Sequence, residues 1–182
     1  KEYGTYLSMD IYNTEYTFAF GKANGVPEEN LKKDEAIGQV QRDSFTAAVK
    51  AGVNMVFGSD AAIYPHGDNA KQFSRMVTYG MTELQAIQAA TVNAATMMKH
   101  NDIGQIKQGF LADIIAVPAN PLKDVSVTER VSFVMKSGVI YKQWSGSVLA
   151  FKPVDKCRRY YRTETLLNGA DSPSRKTELL SG

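Results

Sequence analysis

The sequence contains few of the residues that build disulfides and metal centres. Its 182 residues include one cysteine, Cys157, and two histidines, His66 and His100. A single cysteine excludes a disulfide within the chain and any cysteine-rich metal site. Two histidines cannot form a multi-histidine metal centre by themselves, so such a centre would need ligands from outside this chain.

Long hydrophobic runs and an excess of one charge are also absent. The apolar runs are a handful of residues long, far short of the about 20 that a transmembrane helix needs, and the first four residues do not resemble a signal peptide. The 21 Lys and Arg against 19 Asp and Glu leave a net charge of +2, which is too weak to indicate nucleic acid as a partner. We expect no membrane partner and no nucleic-acid partner. A cytoplasmic location is favoured.

What the chain does contain is the composition of a globular α/β protein. Hydrophobic residues make up 43% and charged residues 22% of the sequence, enough to bury a core. Apolar residues at helical spacing predict a helix over 34–51, and the apolar run 53–57 before a Gly-Ser-Asp turn predicts a buried strand. The other elements predicted before residue 102 are a strand in 5–11, an irregular loop with a short helix in 12–27, and three helices between 68 and 99.

Local patterns predict where these helices begin and end. Gly52 stands where a helix-terminating glycine belongs. Asp68 or Asn69 is expected to cap the helix that follows. Thr82-Glu-Leu-Gln85 matches a capping box and opens a further helix, on which Leu84 and Ile87 are expected to face the core.

After residue 103 the pattern changes to β structure. The apolar run 112–117 predicts one strand, and 131–135 and 139–141 flank Lys136-Ser137-Gly138 as a predicted hairpin. The periodicity fades after residue 143, and we expect most of the tail to be disordered. The predicted organisation is therefore an α/β portion at 1–102, a β portion at 103–145 and a tail at 146–182.

Asp60 is the residue best placed for chemistry. Because it follows a predicted strand and a tight turn, its carboxylate is expected at the carboxyl end of that strand, where the active sites of parallel α/β folds gather. A carboxylate there can hold a divalent metal or take a proton from water. The alternative is a turn residue that bonds its own backbone.

His66 lies in the loop 61–67 that follows Asp60. Pro65 restricts the backbone before it, and Gly67 and Asp68 are expected to lead directly into a helix, whose amino-terminal amides favour an anion. We therefore predict that His66 helps to bind a substrate carboxylate. The alternative is a surface histidine packed on a neighbouring tyrosine.

Other candidate residues are better explained structurally. Ser59 lacks the Gly-x-Ser-x-Gly motif of serine hydrolases, and residues 104–109 lack the ending of a phosphate-binding loop. His100 ends a predicted helix, where its charged form interacts favourably with the helix dipole. The pair Met97-Met98 is expected in the core, and Cys157 is expected to be an incidental thiol.

Four stretches, in this order, are more specific together than any one alone. They are 51–60 with its Gly-Ser-Asp ending, the Tyr-Pro-His-Gly loop at 64–67, 81–95, and the Gly-x-Ile-x-x-Gly-x-x-Ala-Asp pattern at 104–113. Over residues 4–142 the chain resembles the carboxyl-terminal part of a metal-dependent amidohydrolase of the imidazolonepropionase-like and Xaa-Pro dipeptidase-like subgroup.

The resemblance implies a fold and an activity. The fold would be a (β/α)8 TIM-like barrel, of which 1–102 supplies the last two or so βα units, with 103–145 forming part of a small β-sandwich. The activity would be hydrolysis of carbon–nitrogen bonds by water bound to one or two divalent metals, zinc being expected. Asp60 would be both the metal ligand and the catalytic proton acceptor, His66 would bind substrate, and the substrate would be a dipeptide-like amide or a small cyclic amide.

The family's remaining ligands do not occur in this sequence. Members need a His-x-His pair after the first strand, usually a bridging lysine or glutamate, and two histidines from middle strands. Because a full barrel takes about 250 residues, we expect a fragment whose partner is the missing amino-terminal barrel portion. Without that portion, the fragment is expected to expose apolar strand edges, to be inactive and not to retain zinc. Association with further copies of the same chain is an open alternative.

Two alternatives remain at this stage. One is a non-catalytic binding or structural α/β module that lacks the metal ligands and pairs with another chain. The other is an unrelated small α/β domain whose similarity is accidental. The latter fails if 53–57 is a parallel strand with Asp60 at its carboxyl end.

Overall fold

The computed structural model describes residues 3–143, in which helices and a parallel strand pair precede an antiparallel sheet. The predicted tail at 146–182, including Cys157, lies outside the described residues. The elements in chain order are β1 (Leu7–Met9), α1 (Ile11–Phe20), α2 (Glu28–Lys50), β2 (Met55–Phe57), α3 (Lys71–Thr78), α4 (Glu83–Ala90), α5 (Val92–Met97), β3 (Ile114–Ala116), β4 (Phe133–Lys136) and β5 (Val139–Lys142). Within this range no helix is both long and apolar enough to cross a membrane.

Strands β1 and β2 are parallel neighbours, with Leu7 opposite Met55 and Met9 opposite Phe57. The connection between them contains α1 and α2. Parallel strands end at the same edge of a sheet, so the residues after Met9 and after Phe57 emerge together. The predicted strand at 53–57 is confirmed, and the hypothesis of an unrelated domain fails the test set for it.

Helix α1 accounts for the short helix predicted within 12–27, but it begins at Ile11 and fills ten residues of a segment predicted to be mostly irregular. The aromatic residues Tyr12, Tyr16 and Phe20 follow one another at a spacing of four, and their rings pack in sequence with centroid separations of 6.2 and 5.0 Å. Residues four apart are neighbours on a helix, so these rings support a ten-residue helix. The glycines after residue 20 end that helix and do not prevent it.

Helix α2 begins six residues earlier than predicted. Pro27 precedes its first turn, where Glu28 and Glu29 interact favourably with the helix dipole. The predicted end is confirmed, because Gly52 has a φ of +62° directly after the terminal Ala51. Residues 28–33, most of them polar and exposed, therefore lengthen the helix at its amino terminus, before the apolar pattern begins.

The core lies between α2, β2, α3 and α4. Its buried members are Ile11, Phe45, Met55, Met76, Met81, Ala86 and Ala89. The predicted inward position of Leu84 is wrong, since that side chain is 50% exposed, and small alanines supply the packing face of α4. The expected core pair Met97 and Met98 is likewise exposed, since both lie at the end of the short helix α5.

Two cap predictions have different outcomes. The capping box is confirmed, because Gln85 N donates to Thr82 Oγ1 at 3.2 Å and Thr82 N donates to Gln85 Oε1 at 2.8 Å. The predicted cap at Asp68 or Asn69 is wrong, because α3 starts after Ala70 with no side-chain cap. Asp68 instead accepts a hydrogen bond from Lys71 Nζ at 2.9 Å.

The second sheet has the strand order β3-β4-β5 and is antiparallel throughout. Ser137 and Gly138 join β4 to β5 with φ of +48° and +80°, as a two-residue hairpin turn requires. The predicted hairpin is thus confirmed. Every residue of β5 is exposed.

Candidate active site

Asp60 lies past the carboxyl end of β2, separated from it by Gly58 and Ser59. The turn passes close to β1: a Cβ on Gly58 would lie 2.7 Å from Ser8 Oγ and 3.1 Å from the Met9 carbonyl oxygen. Only glycine therefore fits between the turn and the neighbouring strand. Asp60 itself has a φ of +44° and is exposed, so its side chain is presented at this edge of the sheet, as predicted.

A second carboxylate lies at the same edge of the sheet, after the neighbouring strand. Asp10 directly follows β1, whereas Asp60 follows β2 after Gly58 and Ser59. Asn13, in the first turn of α1, joins the two: its Nδ2 donates to Asp10 Oδ2 at 3.0 Å and to Asp60 Oδ2 at 2.9 Å. The sheet edge thus carries two carboxylates linked through one amide.

Tyr64 holds the loop that carries Asp60. Its ring is 2% exposed and packs edge-on against Tyr12 at 4.9 Å, and its hydroxyl donates to the Ser59 carbonyl at 2.5 Å. Burial raises the pKa of the Tyr64 hydroxyl above its ordinary value, so the hydroxyl stays a donor at neutral pH. The backbone next to Asp60 is therefore held by a hydrogen bond to a buried side chain.

His66 is placed differently from the expectation in one respect. It begins a 3₁₀ turn, His66–Asp68, and is exposed, but α3 starts only at Lys71. Gly67 and Asp68 therefore lie within the 3₁₀ turn and do not lead directly into α3, because Asn69 and Ala70 intervene. Within residues 3–143, no hydrogen bond or ion pair joins His66 to Asp60.

His100 has surroundings that fit a structural role. It follows α5, where its backbone N–H donates to the Ala95 carbonyl at 2.9 Å. Its Nδ1 lies 3.6 Å from Asp102 Oδ1, and both side chains are more than half exposed. It lies 40 positions after Asp60 in the sequence. Among residues 3–143, no hydrogen bond or ion pair joins it to Asp10 or Asp60.

The described residues fit part of a metal site. A catalytic zinc takes three protein ligands as a rule, and residues 3–143 contain no group of three or more His, Cys, Asp or Glu side chains that could hold a metal ion. Asp60 can supply one carboxylate ligand from the sheet edge. A site with three protein ligands would need at least one ligand from outside the described residues.

Asp10 and Asn13 are the residues that sequence reasoning missed. Asp60 was singled out because it follows an apolar strand and a Gly-Ser turn; Asp10 follows its strand without such a turn, and the predicted strand at 5–11 included it. Asn13 could be found only once residues 11–20 were known to be helical. A helix starting at Ile11 turns the side chain of Asn13 back toward the strand ends.

Comparison with known proteins identifies the relatives of this chain. Residues 1–141 match the model of the amidohydrolase family. Ochratoxinase of Aspergillus niger is 34% identical over 131 residues, which make up 69% of this chain and 27% of that protein. A 5-methylthioadenosine/S-adenosylhomocysteine deaminase of Caldicellulosiruptor saccharolyticus is 28% identical over 121 residues, or 61% of this chain and 27% of that protein.

Solved structures give the same picture. A Xaa-Pro dipeptidase with methionine bound in its active site matches 78% of this chain and 35% of its own, with a TM-score of 0.72 and 38% identity. Crystalline ochratoxinase of A. niger matches with a TM-score of 0.65 and 33% identity, over 78% of this chain and 33% of that one. The chain thus spans about a quarter of the curated relatives and about a third of these solved chains.

Proposed function

Because this chain belongs to the amidohydrolase family, we propose that it is the carboxyl-terminal part of a metal-dependent hydrolase that cleaves carbon–nitrogen bonds. The observation that carries the proposal is the Asp60 carboxylate, exposed beyond the carboxyl end of a parallel strand. Active sites of barrels built from parallel strands lie at that end. The remaining barrel strands and metal ligands would belong to the portion of the protein that precedes this chain.

Asp60 is the residue of this chain that would hold a metal. Its carboxylate is an oxygen ligand suited to a divalent ion, and we propose zinc, as one or two ions. When bound, such a metal lowers the pKa of water toward 7, so that a nucleophile is available at neutral pH. Held at the strand end by Asn13, Asp60 is placed to accept a proton from water and to return it to the leaving amine.

For the substrate we propose a dipeptide-like amide. Two observations support this class over the cyclic amides: the similar structure named a Xaa-Pro dipeptidase with bound methionine, and the exposed His66, which could meet a substrate carboxylate, on the loop that follows Asp60. His66 on that loop would contact the substrate carboxylate. Its role would be recognition, since it makes no hydrogen bond to Asp60 among the described residues.

The test of this function is Asp60→Asn in the complete protein, loaded with zinc and supplied with Xaa-Pro dipeptides. Asparagine keeps the size of the side chain but removes the proton acceptor, so kcat should fall by about two to four orders of magnitude. The matched control is Asp43→Asn on the exposed surface of α2, which should leave kcat unchanged. Wild-type turnover by the zinc-loaded Asp60→Asn variant would refute the assignment.

The wild-type protein decides between catalysis and the non-catalytic alternative. Hydrolysis of dipeptides but not of a hydantoin supports the proposed substrate class, whereas the reverse preference assigns the cyclic amides. A complete protein that retains no zinc after dialysis and hydrolyses neither class would be a binding module.

His66 is tested separately through the Michaelis constant. In the complete protein, His66→Ala should raise KM for a dipeptide and leave kcat within about tenfold, the pattern of lost uniform binding. His100→Ala removes the other histidine, far from the strand ends, and should change neither constant. A collapse of kcat with unchanged KM would place His66 in the chemistry, and no effect would return it to a surface loop.

A further inference from the structure

The Asp60 carboxylate owes its orientation to one side chain. Among residues 3–143, the hydrogen bond from Asn13 Nδ2 is the one that its oxygens accept. The backbone of Asp60 has a positive φ, in a loop whose neighbours Ala62 and Ile63 are exposed. Without the bond from Asn13, the carboxylate could rotate freely among its rotamers.

We propose that Asn13 is a positioning residue that holds Asp60 through Oδ2 and leaves Oδ1 free to act. This inference rests on the proposed function and deepens it, because it states which oxygen of the carboxylate meets water or metal. It also assigns a role to Asp10, which would fix the orientation of the Asn13 amide and would not touch substrate.

The amide of Asn13 is held in one orientation by charge. A primary amide group has two N–H donors and one carbonyl acceptor. Both donors of Asn13 face carboxylate oxygens, one on Asp10 and one on Asp60. Turning the amide by 180° would place its carbonyl oxygen against two carboxylates, which repel it, so the amide cannot exchange its two ends.

The backbone of Asn13 is equally well fixed. The residue is 9% exposed, its N–H donates to the Asp10 carbonyl at 3.3 Å, and its carbonyl accepts from Thr17 Oγ1 at 3.2 Å. Tyr12 beside it packs on Tyr64, which in turn bonds the Ser59 carbonyl. Asn13 is therefore a fixed donor, and it binds a carboxylate that projects from the turn after β2.

Groups that orient a metal-binding or catalytic residue have measurable effects. Removing such a partner typically costs 10- to 100-fold in activity or metal affinity. Because Asn13 would act through Asp60 and not on the substrate, the loss should fall on kcat and on zinc affinity, with KM for the dipeptide unchanged. A residue needed only for folding would instead lower the amount of active protein and leave kcat per active site unchanged.

The experiment compares four variants of the complete protein. Asn13→Ala removes the donors, and Asn13→Asp keeps the volume while replacing the donors with a third carboxylate. Asn24→Ala is the matched control, since its Nδ2 donates to the Tyr16 hydroxyl at 3.3 Å on the exposed side of α1. Asp60→Asn tests the proposed function in the same assay. Each variant is measured for kcat and KM per zinc-loaded site, for zinc affinity by chelator competition, and by crystallography.

We expect both Asn13 variants to lose about 10- to 100-fold in kcat and in zinc affinity, with the Asp60 carboxylate displaced in their crystal structures and Asn24→Ala unchanged. If Asp60→Asn abolishes turnover while both Asn13 variants match wild type, the positioning role is refuted and the proposed function stands. If Asp60→Asn has no effect, the proposed function fails. The crystal structures then still decide: an unmoved Asp60 in Asn13→Ala refutes the positioning role.

Discussion

The parallel pair β1–β2 and the antiparallel sheet β3–β4–β5 are held together by different parts of the chain. The parallel strands are joined by α1 and α2, and the buried core draws residues from α1, α2, β2, α3 and α4. In the antiparallel sheet, residues 117–132 connect β3 to β4, and a two-residue turn joins β4 to β5. The strands of the parallel pair are therefore farther apart in sequence than neighbouring strands of the antiparallel sheet.

This difference explains where the candidate site lies. Parallel pairing brings two strand ends, about 50 residues apart in sequence, to one edge, where Asp10 and Asp60 share the Asn13 amide. In the antiparallel sheet a carboxylate at the opposite end of a strand, Asp113 before β3, binds the β4–β5 turn. Its Oδ1 accepts the Ser137 N–H at 2.6 Å, and its Oδ2 accepts from Lys136 Nζ at 3.3 Å.

The largest contrast should appear when each region loses an apolar side chain. Phe45 is 1% exposed within the core, whereas Ile140 on β5 is 50% exposed. Phe45→Ala should lower the free energy of unfolding by about 3–5 kcal/mol, and Ile140→Ala by less than about 1 kcal/mol. Urea unfolding of the complete protein measures both. Equal losses would show that the antiparallel sheet is buried against a part of the protein outside this chain.

An intermediate effect is expected in the loop that follows β2 and carries Asp60. Tyr64→Phe removes the hydroxyl that bonds the Ser59 carbonyl, and should lower the free energy of unfolding by about 1–2 kcal/mol. Tyr16→Phe removes a hydroxyl that accepts a long, exposed bond from Asn24, and should have little effect. If the two phenylalanine variants unfold alike, the bond to Ser59 does not stabilise the loop.

The smallest effect on stability is expected in the antiparallel sheet when the pH is lowered. The backbone N–H of Ser137, and more weakly Lys136, lower the pKa of the Asp113 carboxyl below its ordinary value of 3.8. A lowered pKa in the folded state stabilises the fold above the unfolded value and loses that contribution as pH falls through the folded value. In Asp113→Asn the loss of stability below about pH 4 should therefore be shallower than in wild type.

Urea unfolding followed by far-ultraviolet circular dichroism at a series of pH values between 6 and 2 measures how the free energy of unfolding changes with pH. Lys136→Met removes the weaker partner and should change the slope less than Asp113→Asn does. Identical slopes in wild type and Asp113→Asn would show that the bond to Ser137 contributes nothing to the fold.

Sequence reasoning was accurate where a feature depends on residues a few positions apart. The capping box at Thr82, the turn at Ser137 and Gly138, and the end of α2 at Gly52 were all predicted and are present. For α1 it predicted only a short helix within an irregular loop, and it failed for the cap at Asp68 or Asn69 and for Leu84, which lies on the exposed side of its helix. Burial of a given helix face depends on which neighbours pack against it.

The sequence by itself determined that a carboxylate, Asp60, follows a buried strand and a glycine turn, because that pattern is contained in eight consecutive residues. Only the tertiary structure decided that Asp10 and Asn13 stand beside it. The hydrogen bond between Asn13 and Asp60 joins residues 47 positions apart, and it exists because parallel pairing aligns two strand ends while α1 directs the amide toward both. Such a contact depends on the relative placement of three elements, which no local pattern specifies.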